Sequence, residues 1–262
     1  MPTWCGSPRA TTDLLAIDRD REYRNSLAAA DAGVGAPVVD YLPGEGVLVV
    51  GLIDGETFTD EHLTRPGNLA RVAQSCRRLH AGRRFVGDFD MFAIQRRYLA
   101  PVSERGFRMP PDYLDFAPHA ARIGAALAVN AEGTVPCNND LLAANFVEDG
   151  RQVWIIDYEY GGNNDPCFEL GNLASECHLS TDELDELAGE YYGRRLRHKV
   201  ARCRLYGLMA QYGWTLWASI QDASSAIDYD FWSWGTEKYD TARELFGSPV
   251  FETLLGDACR DD

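Results

Sequence analysis

The segment from Cys137 to Pro166 sets oxygen-bearing side chains at short, fixed intervals, and it constrains the fold more than any other stretch of the chain. It runs Cys137, Asn138, Asn139, Asp140, Leu141, Leu142, Ala143, Ala144, Asn145, Phe146; then Trp154, Ile155, Ile156, Asp157, Tyr158, Glu159, Tyr160; then Asn164, Asp165, Pro166. The apolar run Val153 to Ile156 reads as a short strand closed by Asp157. Asp140 and Asn145 lie in one loop ahead of it, five residues apart. Taken singly, the first two would cap a turn and the third would end a strand. In this order and spacing they mark a site.

The spacing suits phosphoryl transfer. That reaction needs little covalent help, so its sites consist mainly of a carboxylate that orients the attacking hydroxyl and ligands that hold Mg²⁺ against nucleotide phosphates. Asp140 is the candidate carboxylate. Asn145 offers an amide oxygen and Asp157 a carboxylate to the metal, a donor set that a hard, oxygen-seeking ion accepts.

These residues resemble the choline/ethanolamine kinase family, within the aminoglycoside-phosphotransferase branch of protein-kinase-like folds. There the loop reads His-Asn-Asp-Leu-x-x-x-Asn, the strand Ile-Asp-Trp/Phe-Glu-Tyr, and Asn-Asp-Pro follows. Asn138 stands where the family has His, a residue that braces the metal-binding strand, so an amide takes over part of that work. The resemblance spans Thr12 to Phe246 and implies an α+β, protein-kinase-like two-lobe fold. A truncated, β-containing N-lobe would take residues 1–54 and a large, mainly helical C-lobe residues 55–262.

The resemblance also assigns roles. Trp214, Trp217 and Trp234, near Tyr229, Phe231 and Trp232, are similar to the family's aromatic pocket for a quaternary ammonium. Ring faces carry negative quadrupole potential and suit a cation that cannot donate strong hydrogen bonds. Read from periodicity alone, Trp214 and Trp217 are three apart on a helix over 201–222 and form a core stripe. Glu176 is implied to face the ammonium; by itself it is a surface helix residue. Glu22 is implied to pair with the nucleotide-binding basic residue; by itself it is one charge among several on a solvated face. The backbone at Leu52 and Ile53 is implied to meet the adenine edge.

Kinase-like small lobes begin with a glycine-rich hairpin and a strand bearing a basic residue. Neither is recognisable in residues 1–11, which hold one glycine, Gly6, and one arginine, Arg9. Weakened ATP binding is the expectation.

Elsewhere, helices are expected over Ile17–Ala32, Asn68–His80, Tyr113–Val129, Thr181–Leu196 and Asp230–Phe246, with a hairpin of Pro37–Leu42 and Gly46–Ile53 around Pro43 to Glu45. His80, at a helix end, has a capping or core role, and Cys137 reads as a small buried hydrophobe. A formal net charge of -15 argues against a nucleic-acid partner and favours a cationic one. Seven scattered cysteines without metal spacing read as reduced thiols. No membrane span or secretory signal is recognisable, and a cytoplasmic location follows; oligomeric state is not legible.

The combined expectation is an ATP- and Mg²⁺-dependent kinase of a small amino alcohol, choline or ethanolamine. The alternatives are a kinase of aminoglycosides or another small alcohol, and a catalytically weak kinase-like protein that binds choline.

Overall fold

Asp18 opens the first described helix by accepting the Arg21 N–H on its side chain at 3.0 Å, and α1 runs Arg19–Asp31. The computed structural model describes residues 14, 15 and 17–261. The expectation for residues 1–11 falls outside them. The chain divides into two compact units: Ile17–Phe89 with Glu132–Leu196 form one, and Asp90–Ala131 with the chain from Arg197 onward form the other.

In the first unit α1 is followed by an antiparallel hairpin of β1 (Val38–Leu42) and β2 (Val47–Val50), with Leu42 opposite Val47. Gly46, at φ 67°, takes the left-handed turn position that a side chain would strain. A three-stranded antiparallel sheet has the order β3 (Glu56–Thr57), β5 (Phe146–Glu148), β6 (Val153–Ile155). A second pair joins β4 (Val135–Cys137) to β7 (Gly162–Asn164), with Cys137 opposite Gly162. These short ladders fix the loop after β4 and the loop after β6, where the candidate residues lie.

Helices cover these sheets. A one-turn α2 (Asp60–Leu63) precedes α3 (Asn68–His80), which buries Leu69, Val72, Ala73, Cys76 and Leu79 on the face its periodicity predicts and packs against the helix over Thr181–Tyr192. Asp165 caps α6 (Pro166–Glu176) by accepting the Cys167 N–H at 2.8 Å, and Pro166 suits the first helical position. Helix α7 (Thr181–Tyr192) begins with a Ser180/Glu183 capping box and stops at Gly193, φ 74°. The expected extension to Leu196 is absent, because the left-handed glycine ends the helix before Arg194 and Arg195.

The second unit is helical: α4 (Met91–Arg105), α5 (Ala117–Ala128) after a 3₁₀ turn at Tyr113–Phe116, α8 (Arg197–Ser224), α9 (Phe231–Phe246) and α10 (Pro249–Ala258). Helix α8 is its axis and packs against α4, α9 and α10. Tyr113 and Tyr212 stack with ring centroids 4.1 Å apart, and each hydroxyl donates to the other's backbone carbonyl at 2.8 Å. This satisfies two buried hydroxyls within the core. Among the described residues, no helix is long and apolar enough to cross a membrane.

Candidate active site

Asp140, Asn145 and Asp157 are tied to one another by a closed set of hydrogen bonds. Asn145 Nδ2 donates to the Asp140 carbonyl at 2.8 Å, and the Ile156 N–H donates to the Asn145 carbonyl at 2.9 Å. Asn138 closes the ring: its Nδ2 donates to the carbonyls of Ile156 at 3.2 Å and Asp157 at 2.6 Å, while its Oδ1 accepts the Asp140 N–H at 3.0 Å. The loop and the strand end expected to meet do meet, through the residue that replaces histidine. An amide has a donor and an acceptor at one tip, so Asn138 can brace the strand and the loop at once.

Two backbone outliers lie in this ring. Asn139 has φ 70° and Asp157 has φ 62°, left-handed positions that cost non-glycine residues on the order of 1–3 kcal/mol unless the surroundings enforce them. Asn139 is enforced by its side chain, whose Nδ2 donates to the carbonyls of Cys137, Tyr160 and Gly162 at 3.1 Å each. Its Oδ1 accepts from Asn164 Nδ2 at 2.9 Å.

Beneath the loop lies Glu169 of α6, fully buried, which accepts the N–H groups of Asn138 at 2.8 Å and Asn139 at 2.7 Å. His80 Nε2 is 3.6 Å from the same carboxylate and from Cys137 Sγ, and His80 Nδ1 is 2.7 Å from the Tyr191 hydroxyl. Cys137 is fully buried, its thiol pushed well above the ordinary range by that burial and then by the Glu169 charge. The His80, Cys137 and Glu169 atoms are close enough for a metal, but Glu169 already serves the loop backbone with both oxygens. Sequence reasoning did not single out Glu169. The available signal was an acid one turn into the helix opened by Asp165 and Pro166.

Glu22 pairs within its own helix: Arg19 Nη1 is 2.5 Å from Glu22 and 3.4 Å from Glu159. The Arg19-x-x-Glu22 spacing was visible, but neither α1 nor Glu159 announces that they share one arginine. Burial lifts the Glu22 carboxyl above its usual range against the pull of Arg19, with the Asp157 charge adding to the lift. Burial, then Asp157, pushes Glu159 up to about 7. Asp157 retains exposed surface, yet the protein crowded around it raises its carboxyl, while the Glu159 N–H and Arg19 oppose the rise. One guanidinium therefore faces three carboxyls, Glu22, Asp157 and Glu159. All-oxygen donors with excess negative charge fit a hard divalent cation. Asn145 spends an amide N–H on the Asp140 carbonyl, and among the described residues its Oδ1 has no hydrogen-bond partner, which suits such a role.

The other expected residues occupy distinct places. Leu52 and Ile53 follow β2, with Leu52 66% exposed. Glu176 is the last residue of α6 and is half-buried. In the second unit Trp214 is buried within α8, whereas Trp217 of α8 and Trp234 of α9 are half-buried and meet edge to face at 5.4 Å and 61°. Phe231 packs on Trp217 at 5.7 Å, and Tyr229 on Phe231 at 5.0 Å. The two indoles meet because their neighbours are small: a Cβ on Gly235 would collide with Cβ of Ala218, so α9 approaches α8 where only glycine fits.

Three comparisons place this geometry among known proteins. The family model for choline/ethanolamine kinase matches residues 10–192. Protein LicA of Haemophilus influenzae is 26% identical over 247 residues, covering 89% of this chain and 90% of that protein. The crystal structure of a choline/ethanolamine kinase family protein from Mesorhizobium loti matches with a TM-score of 0.85 at 33% identity, over 93% of this chain and 83% of that one. Choline kinase LicA from Streptococcus pneumoniae shares the fold, with a TM-score of 0.78 at 20% identity over 94% of this chain and 84% of its own. The α+β, kinase-like fold expected from the sequence is thus present.

Proposed function

The chain belongs to the choline/ethanolamine kinase family, and on that footing we propose that it transfers the γ-phosphoryl group of ATP to the hydroxyl of a small amino alcohol, choline or ethanolamine. The observation that carries this reading is the hydrogen-bonded ring that links Asp140, Asn145 and Asp157 through Asn138. Catalysis of this kind is positioning and charge stabilisation, and a preformed ring supplies positioning before substrate arrives.

Asp140 orients the acceptor hydroxyl and takes its proton as the new P–O bond forms and the bond from the γ-phosphorus to the bridging oxygen breaks, releasing ADP. Asn145 and Asp157 would hold Mg²⁺, which would neutralise the phosphate charge. Arg19 and Glu22 brace the metal side, and backbone groups at Leu52 and Ile53 receive the adenine. The nucleotide role is assigned to residues 1–54 and the chemistry and acceptor roles to residues 55–262, a functional division that cuts across the two compact units. Trp214, Trp217 and Trp234 are assigned to the cationic end of the acceptor, and Glu176 is assigned to it as an acidic residue. Free thiols such as Cys76, Cys137 and Cys167 suit a cytoplasmic setting.

The test is ADP release from Mg²⁺-ATP with choline, ethanolamine and an aminoglycoside as separate acceptors, alongside calorimetric titration of each ligand. Turnover with either amino alcohol is the expected result. Turnover with the aminoglycoside alone would overturn the acceptor assignment, and choline binding without nucleotide binding or ADP would make the chain a binding protein.

A further inference from the structure

Trp234 already carries a cation. Lys238, one turn along α9, is 8% exposed and holds its ammonium 4.3 Å from the centroid of the Trp234 ring. Ring faces are limited in number and each accommodates one cation well. Trp234 also meets Trp217 edge to face, which takes up further ring surface. Helix geometry makes the contact persistent: residues four apart share a face, and the stem of a lysine packs along apolar surface while its head reaches the ring.

We propose that Lys238 is a specificity-determining residue that competes for the aromatic seat and tilts acceptor choice away from quaternary and toward primary ammonium. The inference rests on the amino alcohol reading of the aromatic pair. A trimethylammonium group cannot donate strong hydrogen bonds and depends on ring faces for its binding. It must dislodge or share with Lys238. A primary ammonium has three N–H donors, binds through acceptors such as carboxylates, and loses less when one ring face is taken. An exposed to desolvated cation–π contact corresponds to about two- to thirty-fold in affinity, and this is the range by which Lys238 disfavours choline.

The experiment compares wild type, K238M, K238R and W234L. Tetramethylammonium is titrated calorimetrically as a probe that needs no turnover, and kcat/KM is measured for choline and ethanolamine. K238M keeps the packed stem and removes the charge. It should tighten tetramethylammonium at least about threefold and raise the choline-to-ethanolamine ratio of kcat/KM by a similar factor. K238R restores a cation and should return both toward wild type, which a merely structural effect of the substitution would not do. If W234L abolishes the probe's binding while K238M leaves affinity and ratio unchanged or lowers them, the role of Lys238 is overturned and the aromatic seat stands. If W234L changes neither probe binding nor any acceptor KM, the seat itself is wrong and the inference falls with it.

Discussion

The loop after β4 and the α8–α9 contact are built on different physics. The loop is held by backbone amides and carbonyls that converge on Asn138, Asn139 and Glu169, with the left-handed Asn139 locked in place. The helix contact is held by ring edges and by the absence of a side chain at Gly235. Hydrogen bonds specify angle and distance to individual atoms. Ring packing specifies area and shape and tolerates adjustment. The first arrangement suits chemistry, the second suits recognition that can drift among related cations.

Substitutions can break that contrast. Asp157→Asn strikes the metal side and should lower kcat by about 10²–10³-fold while leaving acceptor affinity close to wild type, because fixed charge in a preorganised site is its main contribution. A similar loss of choline affinity would show the two regions to be one. Glu169→Ala should come next. It strands the N–H groups of Asn138 and Asn139, at about 1–3 kcal/mol for each donor left unpaired, read as a lower thermal midpoint together with a lower kcat. An unchanged midpoint would remove Glu169 from the account.

Gly235→Ala tests the other side. The added methyl meets Ala218 and should cost about 1–3 kcal/mol, raising acceptor KM more than it lowers kcat. An effect on kcat alone would contradict the separation. The smallest effect is expected at Asp149, in the β5–β6 turn, where N–H groups of Gln152, Trp154 and Arg151 hold the carboxyl at about 2 against an ordinary 3.8. A depressed carboxyl stabilises the fold above its unfolded value and loses that contribution as pH falls through 3.8 toward 2. The midpoint gap between wild type and Asp149→Asn should therefore narrow as the pH drops through that window.

The same contrast decides what was legible in the sequence. The meeting of Asp140, Asn145 and Asp157 was readable because short spacings in one loop and one strand fix their relation, and α3 and the hairpin because their patterns are local. Glu169 was not readable, since its job is to serve backbone groups thirty-one residues upstream and backbone leaves no mark in sequence. Helix α8 extends beyond the expected 201–222 to Arg197–Ser224 because it is buried on most sides and shows no polar stripe to mark its face. Helix α4, with Pro101 inside it, was not foreseen; proline argues against helix, and tertiary packing through Tyr98 and Val102 prevailed. Lys238 was hidden among surface-like charges, because only the packed helix shows that its head lies on an indole.

Asp140→Asn tests the central claim most directly, by measuring choline or ethanolamine binding and Mg²⁺-ATP turnover on the same preparation. Acceptor binding within about twofold of wild type with turnover reduced at least about a thousandfold is the predicted result. Turnover near wild type would contradict the assignment of this carboxylate to the transfer step.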